Sequence, residues 1–153
     1  MWRSIQLTTV LLSSVVAVWG ADPVLGTWRL NAAKSQYHPG PLPRGQTRIY
    51  EKDGPGVKAT VITVNPDGKS VTVHYPTNYD GKVYPVLGSP DTDGIVMRRI
   101  DDYTAESTLM HAGILMGTAR RVIAPDGKTM TITFKGTVPG GDQVNNTGFY
   151  EKQ

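Results

Sequence analysis

The chain has 153 residues, of which 39% are hydrophobic and 19% are charged, and its formal net charge is +3. This length fits one domain with a sizeable core, and the composition is typical neither of a disordered chain nor of a membrane protein. The chain has no cysteine, which excludes disulfides and thiol chemistry. Lys and Arg form no run longer than a pair, which excludes the basic stripe of a nucleic-acid-binding protein.

The first 20 residues have the pattern of a secretory signal. Arg3 precedes a mostly apolar stretch at 5–19, which polar side chains interrupt and which is shorter than the ~20 apolar residues of a membrane span. We therefore expect residues 1–20 to be a signal peptide cleaved near Gly20, and residues 21–153 to form one soluble domain without a membrane anchor. Export of a chain without cysteine favours the periplasm or the medium of a bacterium.

Short turn signals divide the rest of the chain. Asp-Gly supplies the positive φ angles that tight hairpin turns need, so it is a strong hairpin signal between strands. Such pairs occur at Asp53-Gly54, Asp67-Gly68, Asp80-Gly81, Asp93-Gly94 and Asp126-Gly127, with further turn signals at Ala112-Gly113 and Gly140-Gly141. Between them lie runs rich in Val, Ile, Thr and Tyr, at 57–64, 70–75, 95–100, 103–110, 114–124, 129–137 and 144–151.

Apolar and polar side chains alternate within several of these runs. Val71, Val73 and Tyr75 alternate with Thr72 and His74, which is typical of a strand with one face on a core. The same period continues at Met130, Ile132 and Phe134. The pattern predicts an all-β fold, an antiparallel up-and-down meander of about 8–10 strands. Closure into a barrel removes the sheet edges, and a β-sandwich is the alternative.

One segment departs from the strand pattern. Ser35–Arg44 carries three prolines and a glycine in ten residues, and proline cannot donate to a strand ladder. We predict a long, stiff loop there between the first two strands. A second irregular patch is predicted at 85–90.

The predicted first strand carries a motif that resembles a known family. Its Gly26-Thr27-Trp28 is similar to the Gly-X-Trp that begins the lipocalins and their wider calycin relatives. In that family the Trp plugs the closed end of the barrel, and an Arg from a late strand packs over its ring as a cation–π pair. Either Arg120 or Arg121 falls at the matching place. The resemblance implies that Gly26, Trp28 and, as we assign it, Arg120 close the barrel.

Two further features refine this resemblance. Asp101-Asp102-Tyr103 looks like the Thr-Asp-Tyr turn that lipocalins carry in mid-chain. Lipocalins end with a helix, whereas the chain after Arg121 reads as two more strands. The region 21–153 is therefore more similar to the short exported lipocalin-like domains of bacteria, a resemblance that implies a fold and no particular activity.

Catalytic and metal-binding patterns are missing from the sequence. There is no Gly-X-Ser-X-Gly, and His38, His74 and His111 are isolated from one another. No Glu-X-X-His or His-X-His occurs. We expect no catalytic residues, no metal site and no cofactor.

Ligand binding inside the barrel is the leading hypothesis, with a small hydrophobic or amphipathic molecule as the partner. Arg48 and Tyr50 share one face of the second strand, and this pairing could hold a carboxylate. Further candidates are the tyrosines near one hairpin and two arginines that would bind if they point inward: Tyr75, Tyr79, Tyr84, Arg99 and Arg121. We expect no nucleic-acid partner.

Two alternatives remain open at this point. A barrel filled by side chains would act through its surface, with the loop at 35–44 contacting a protein of the cell envelope. A small calycin-type enzyme, an isomerase or cyclase, would carry an inward carboxylate or His with a strongly shifted pKa.

Overall fold

The computed structural model describes residues 20–153, so the predicted signal peptide lies outside the described residues except for Gly20. The described chain folds into eleven antiparallel strands with one short 3₁₀ turn, Ala32–Lys34. The strands are β1 (Gly26–Leu30), β2 (Gln36–His38), β3 (Gly45–Asp53), β4 (Gly56–Val64), β5 (Ser70–Thr77), β6 (Asp80–Pro85), β7 (Gly94–Arg99), β8 (Thr104–His111), β9 (Ile114–Ile123), β10 (Thr129–Thr137) and β11 (Gln143–Lys152). No helix in this part of the chain is long and apolar enough to cross a membrane.

All strands belong to one sheet, and each pairs with its chain neighbour over most of the sheet. The first strand also pairs with the last, so the sheet curls round until its two edge strands, β5 and β6, come together. Trp28 of β1 lies opposite Arg48 of β3 on one side and Lys152 of β11 on the other. The predicted barrel is therefore confirmed and the sandwich is wrong. We call the end where β1 begins the closed end, and the end where β3, β5, β7, β9 and β11 begin the open end.

The first strand is split in two. The short turn after β1 directs the chain to β2, which pairs with an earlier stretch of β11, Asn145–Thr147. The prediction of a loop throughout Ser35–Arg44 is therefore wrong at Gln36–His38. These three residues precede Pro39, the first proline of that segment, so each of them has a backbone N–H that can donate a hydrogen bond.

Two Asp-Gly pairs do not form hairpin turns. Asp80-Gly81 begins β6 at an irregularity in its pairing with β7, and Gly94 opens β7 instead of ending a turn. The turn between β7 and β8 lies at 100–103, where the Asp101 carboxylate accepts a hydrogen bond from the Tyr103 N–H at 2.8 Å. An Asp side chain can organise a turn without a following glycine, which explains the difference.

The barrel has one weak seam, between β5 and β6. Within the described chain no ladder joins these two strands, and His74 of β5 instead pairs with Leu87, two residues after the end of β6, through two backbone hydrogen bonds of 2.9 Å. Gly88 follows this bridge with a φ of +86°, and a Cβ built on it would lie 2.2 Å from the Thr72 carbonyl oxygen. Only glycine therefore lets the chain approach β5 closely enough to close the seam.

Gly88→Ala is expected to lower the free energy of unfolding by at least about 2 kcal/mol more than Gly113→Ala. Both glycines have a positive φ, but a Cβ on Gly113 would meet nothing within 4 Å. Gly113→Ala therefore reports only the backbone cost of about 1 kcal/mol. Urea unfolding of the two variants measures the difference, and equal losses would show that the seam tolerates a side chain.

The side-chain alternation is confirmed in β5 and β10. Val73 and Tyr75 face the interior while Thr72 and His74 are exposed, and Ile132 and Phe134 also face inward. The apolar core lies towards the closed end, where the largest fully buried side chains are Trp28, Tyr150, Ile123 and Met130. Between this core and the open end the barrel encloses a cavity.

Candidate functional site

An interior cavity of about 330 Å³ lies between the core and the open end. Its lining comes from alternate residues of the surrounding strands, as the pleat requires. Apolar side chains form much of it, among them Val61, Ile95, Met97, Leu109, Ile132 and Phe134. Its polar side includes Tyr37, Gln46, Arg48, Tyr50, Tyr75, Arg121 and Tyr150. In the part of the chain that the structure describes, no Asp or Glu lines this cavity.

Arg48 stands at the centre of the polar side. Its Nε donates to Gln46 Oε1 at 3.0 Å, and the Tyr150 O–H donates to the same oxygen at 2.5 Å. The Arg48 guanidinium carbon lies 5.2 Å from the centre of the Tyr150 ring, a cation–π distance. Burial opposes the charge of Arg48, but the neighbouring tyrosines outweigh it and raise the pKa of Arg48 above its ordinary value. Arg48 is therefore a cation facing the cavity.

Tyr50 of β3 and Tyr75 of β5 also line the cavity, and both side chains are buried. Burial disfavours the phenolate of Tyr50, but Arg48 and Arg121 outweigh it and lower the pKa of Tyr50. Burial and the neighbouring Tyr50 raise the pKa of Tyr75 well above its ordinary value. Tyr75 therefore stays a neutral phenol, which can donate a hydrogen bond to an anion.

Arg121 is the second cation at the cavity, and only 7% of its surface is exposed. Its Nη2 donates to the Tyr79 hydroxyl oxygen at 2.8 Å. Its Nε and Nη1 are buried and have no hydrogen-bond partner among the described residues. Unpartnered buried donors are costly, more so on a charged group. Arg121 can therefore gain substantially from a ligand that brings an acceptor.

A chain of polar contacts continues from Arg121 towards the closed end. The Tyr79 O–H donates to Asp22 Oδ2 at 2.8 Å, and Arg99 Nη2 lies 2.9 Å from the same oxygen. Burial opposes the charge of Asp22, but the Val24 N–H, Tyr79 and both arginines outweigh it and lower the pKa of Asp22. Burial raises the pKa of Tyr79 to about 12. Tyr79 therefore remains a phenol that links Arg121 to the carboxylate.

The structure brings together most of the residues predicted for binding. Arg48, Tyr50, Tyr75 and Arg121 line the cavity, and Tyr79 reaches it through its hydrogen bond to Arg121.

Arg99 and Tyr84 do not line the cavity, and neither does Tyr79, which contacts it only through Arg121. Arg99 lies at the closed end, where it pairs with Asp22 and its guanidinium carbon stands 4.3 Å from the centre of the Tyr79 ring. The Tyr84 hydroxyl donates to Asp80 Oδ2 at 2.6 Å in an exposed contact. The structure therefore does not place Arg99 or Tyr84 at the cavity, because their polar groups bind Asp22 and Asp80, which do not line it.

The closed end has a different cation from the one assigned. Trp28 is fully buried, and its Nε1 donates to the Val24 carbonyl at 2.7 Å. Lys152 stands over the Trp28 ring, with Nζ 5.2 Å from the ring centre, and its side chain crosses Gly26, where a Cβ would lie 2.9 Å from Cε. Arg120 is exposed on the outer face and pairs with Glu106 at 2.6 Å. Position 120 therefore does not supply this cation.

Several residues of the site were missed in the sequence. Gln46 shares its face with Arg48 and Tyr50, so the same period-two argument would have found it. Tyr150 alternates with Gly148, which leaves room for the tyrosine ring. Asp22 precedes the first strand, and no pattern there signals its contacts. Among residues 20–153, no three His, Asp or Glu side chains are grouped closely enough to hold a metal ion.

The nearly closed antiparallel meander has the fold of a lipocalin- or FABP-like barrel. The solved structure of zebrafish ileal bile acid-binding protein in complex with cholic acid matches it with a TM-score of 0.52 and 13% identity, over 86% of this chain and 99% of that one. The siderocalin Ex-FABP matches with a TM-score of 0.37 and 12% identity, over 86% and 74% of the two chains. No family model and no curated protein matches the sequence.

Proposed function

We propose that this protein binds a small, partly apolar molecule with an anionic end inside its barrel. The observation that carries the proposal is the charge of the cavity: Arg48 and Arg121 face it, and no Asp or Glu of the described chain does. Buried cations are costly unless they are paired, so an anion that enters between them gains from both. The apolar part of the lining would hold the rest of the molecule.

The size and polarity of the cavity fit this ligand class. A volume of about 330 Å³ lies at the lower end of the range for small-molecule sites, roughly 300–1,000 Å³. The presence of this space favours binding in the interior over the surface alternative, a barrel filled by side chains. The zebrafish protein was solved with cholic acid, an amphipathic carboxylic acid, which makes cholate a reasonable probe.

The proposal includes a location. The Arg3 head and the apolar stretch at 5–19 support export, with cleavage near Gly20. The lack of cysteine supports a bacterial periplasm or medium. In that setting the barrel would meet amphipathic molecules outside the cytoplasm.

Isothermal titration calorimetry with decanoate, cholate and decanol tests the proposed binding. Decanoate and decanol share an alkyl chain and differ at the head group, so their comparison isolates the charge. We expect one site per protein, with decanoate bound at least about tenfold more tightly than decanol, because hydrogen bonds to charged groups contribute about 1.5–3 kcal/mol. Equal affinities for the acid and the alcohol, or no binding of any probe at millimolar concentration, would contradict it.

A further inference from the structure

The closed end carries a carboxylate that competes for the cavity cation. Asp22 Oδ2 and Arg121 Nη2 are joined through one atom, the Tyr79 hydroxyl oxygen, with 2.8 Å on each side. The Asp22 side chain is only 12% exposed, so water screens its charge weakly. An anion placed on the free nitrogens of Arg121 would therefore lie close enough to Asp22 to be repelled by it.

The backbone of the linking residue supports a positioning role. Tyr79 has a φ of +57°, in the left-handed region that a bulky side chain rarely adopts. Such a conformation persists only where the surroundings hold it. Here the Tyr79 N–H donates to Thr77 Oγ1 at 3.3 Å, and its ring packs against Arg99. The hydroxyl is thus held between the cavity cation and the carboxylate.

We propose that Asp22 is the internal counter-ion of Arg121 and that it limits how tightly the cavity holds an anion. The proposal rests on the proposed function, since it assumes an anionic ligand beside Arg121. Asp22 stabilises the empty barrel by partly compensating the Arg121 charge, and the same carboxylate repels an incoming anion. By reciprocity, an anion bound in the cavity weakens the interaction of Asp22 with Tyr79 and Arg121.

Arg99 has the opposite effect. It binds the same Asp22 oxygen from the other side at 2.9 Å and so offsets the charge that Asp22 presents to the cavity. Other charged or titratable groups near this end are Lys52, Asp102 and Tyr103, which share a surface hollow with Asp22, and Lys152, whose Nζ lies 3.5 Å from the Pro23 carbonyl. None of these has a hydrogen bond to Asp22 among the described contacts.

Removing the charge of Asp22 and removing that of Arg99 should shift decanoate affinity in opposite directions. Asp22→Asn keeps an oxygen for Tyr79 but removes the charge, so decanoate should bind about three- to tenfold more tightly. Arg99→Gln leaves Asp22 uncompensated, so decanoate should bind about three- to tenfold more weakly. Decanol, which carries no charge, should bind both variants as it binds the wild type. Titration calorimetry at low ionic strength measures all of these affinities.

Glu106→Gln and Arg120→Gln are the matched controls. They make the same two charge changes in an exposed ion pair on the outer face, at 2.6 Å. We expect decanoate affinity in both controls to stay within about twofold of the wild type, because these two side chains are about half exposed and water and salt screen their charges. A control shift equal to that of Asp22→Asn would overturn the proposal. So would weaker binding of both probes to Asp22→Asn, which indicates a purely structural role.

A measurement without ligand separates this inference from the proposed function. Urea unfolding of the wild type, Asp22→Asn, Arg121→Gln and the double variant gives a double-mutant cycle in the free energy of unfolding. If Asp22 and Arg121 are a counter-ion pair, the double variant loses clearly less stability than the sum of the two single losses. If wild type binds no probe, the proposed function fails while the cycle still decides whether Asp22 compensates Arg121. Additive losses would overturn the pairing whatever the probes do.

Discussion

Arg48→Gln is expected to weaken decanoate binding by about ten- to a hundredfold while changing decanol binding by less than about threefold. Arg48 lies on β3 at the centre of the polar side of the cavity, held by Gln46 and packed against the Tyr150 ring. Glutamine keeps much of the side-chain length but removes the charge. The lost interaction is therefore the charged hydrogen bond to the carboxylate, which contributes about 1.5–3 kcal/mol. Titration calorimetry of both probes measures the change.

Arg29→Gln is the control for this prediction. Arg29 is an exposed residue of β1, and its substitution removes the same charge from outside the cavity. We expect wild-type affinity for decanoate in this variant. The role given to Arg48 would be wrong if the two variants lost decanoate affinity equally, or if Arg48→Gln lost decanol to the same extent.

Trp28→Ala is expected to lower the free energy of unfolding by about 3–5 kcal/mol. Trp28 lies on β1, which pairs with β3 and β11, and its side chain is fully buried. Its indole N–H is satisfied by the Val24 carbonyl. The substitution leaves a large void, orphans that carbonyl and removes the surface over which Lys152 lies. Urea unfolding measures the loss.

Val122→Ala serves as the comparison for the tryptophan. Val122 is 40% exposed on β9, so its truncation should cost about 0.5 kcal/mol or less. A loss for Trp28→Ala as small as that of Val122→Ala would show that the closed end is not part of the cooperative core.

The strands could be predicted from the sequence because period-two alternation acts locally. β10 was predicted at its observed bounds, since Met130, Ile132 and Phe134 repeat without interruption. The same alternation placed Arg48 and Tyr50 together on the inner face. The split of the first strand depends on the pairing of β2 with β11, more than a hundred residues away, and no local pattern contains it.

The site was predicted less completely, because its remaining features depend on distances between strands. Arg99 follows Ile95 and Met97 at inward positions, but it stands at the end of β7, beyond the cavity. Arg121 shares its inward face with Ile123, which could have distinguished it from Arg120. Asp22 precedes the first strand, so only the folded barrel brings it to Tyr79.

Native mass spectrometry of the protein, purified without denaturation and measured before and after extraction with organic solvent, tests most directly whether the barrel holds a small anion. Our account predicts an added mass that disappears on extraction and is recovered from the extract as an amphipathic acid. It also predicts that decanoate restores a one-to-one complex with the extracted protein. A bare mass before extraction, together with no complex on adding decanoate, would contradict the account.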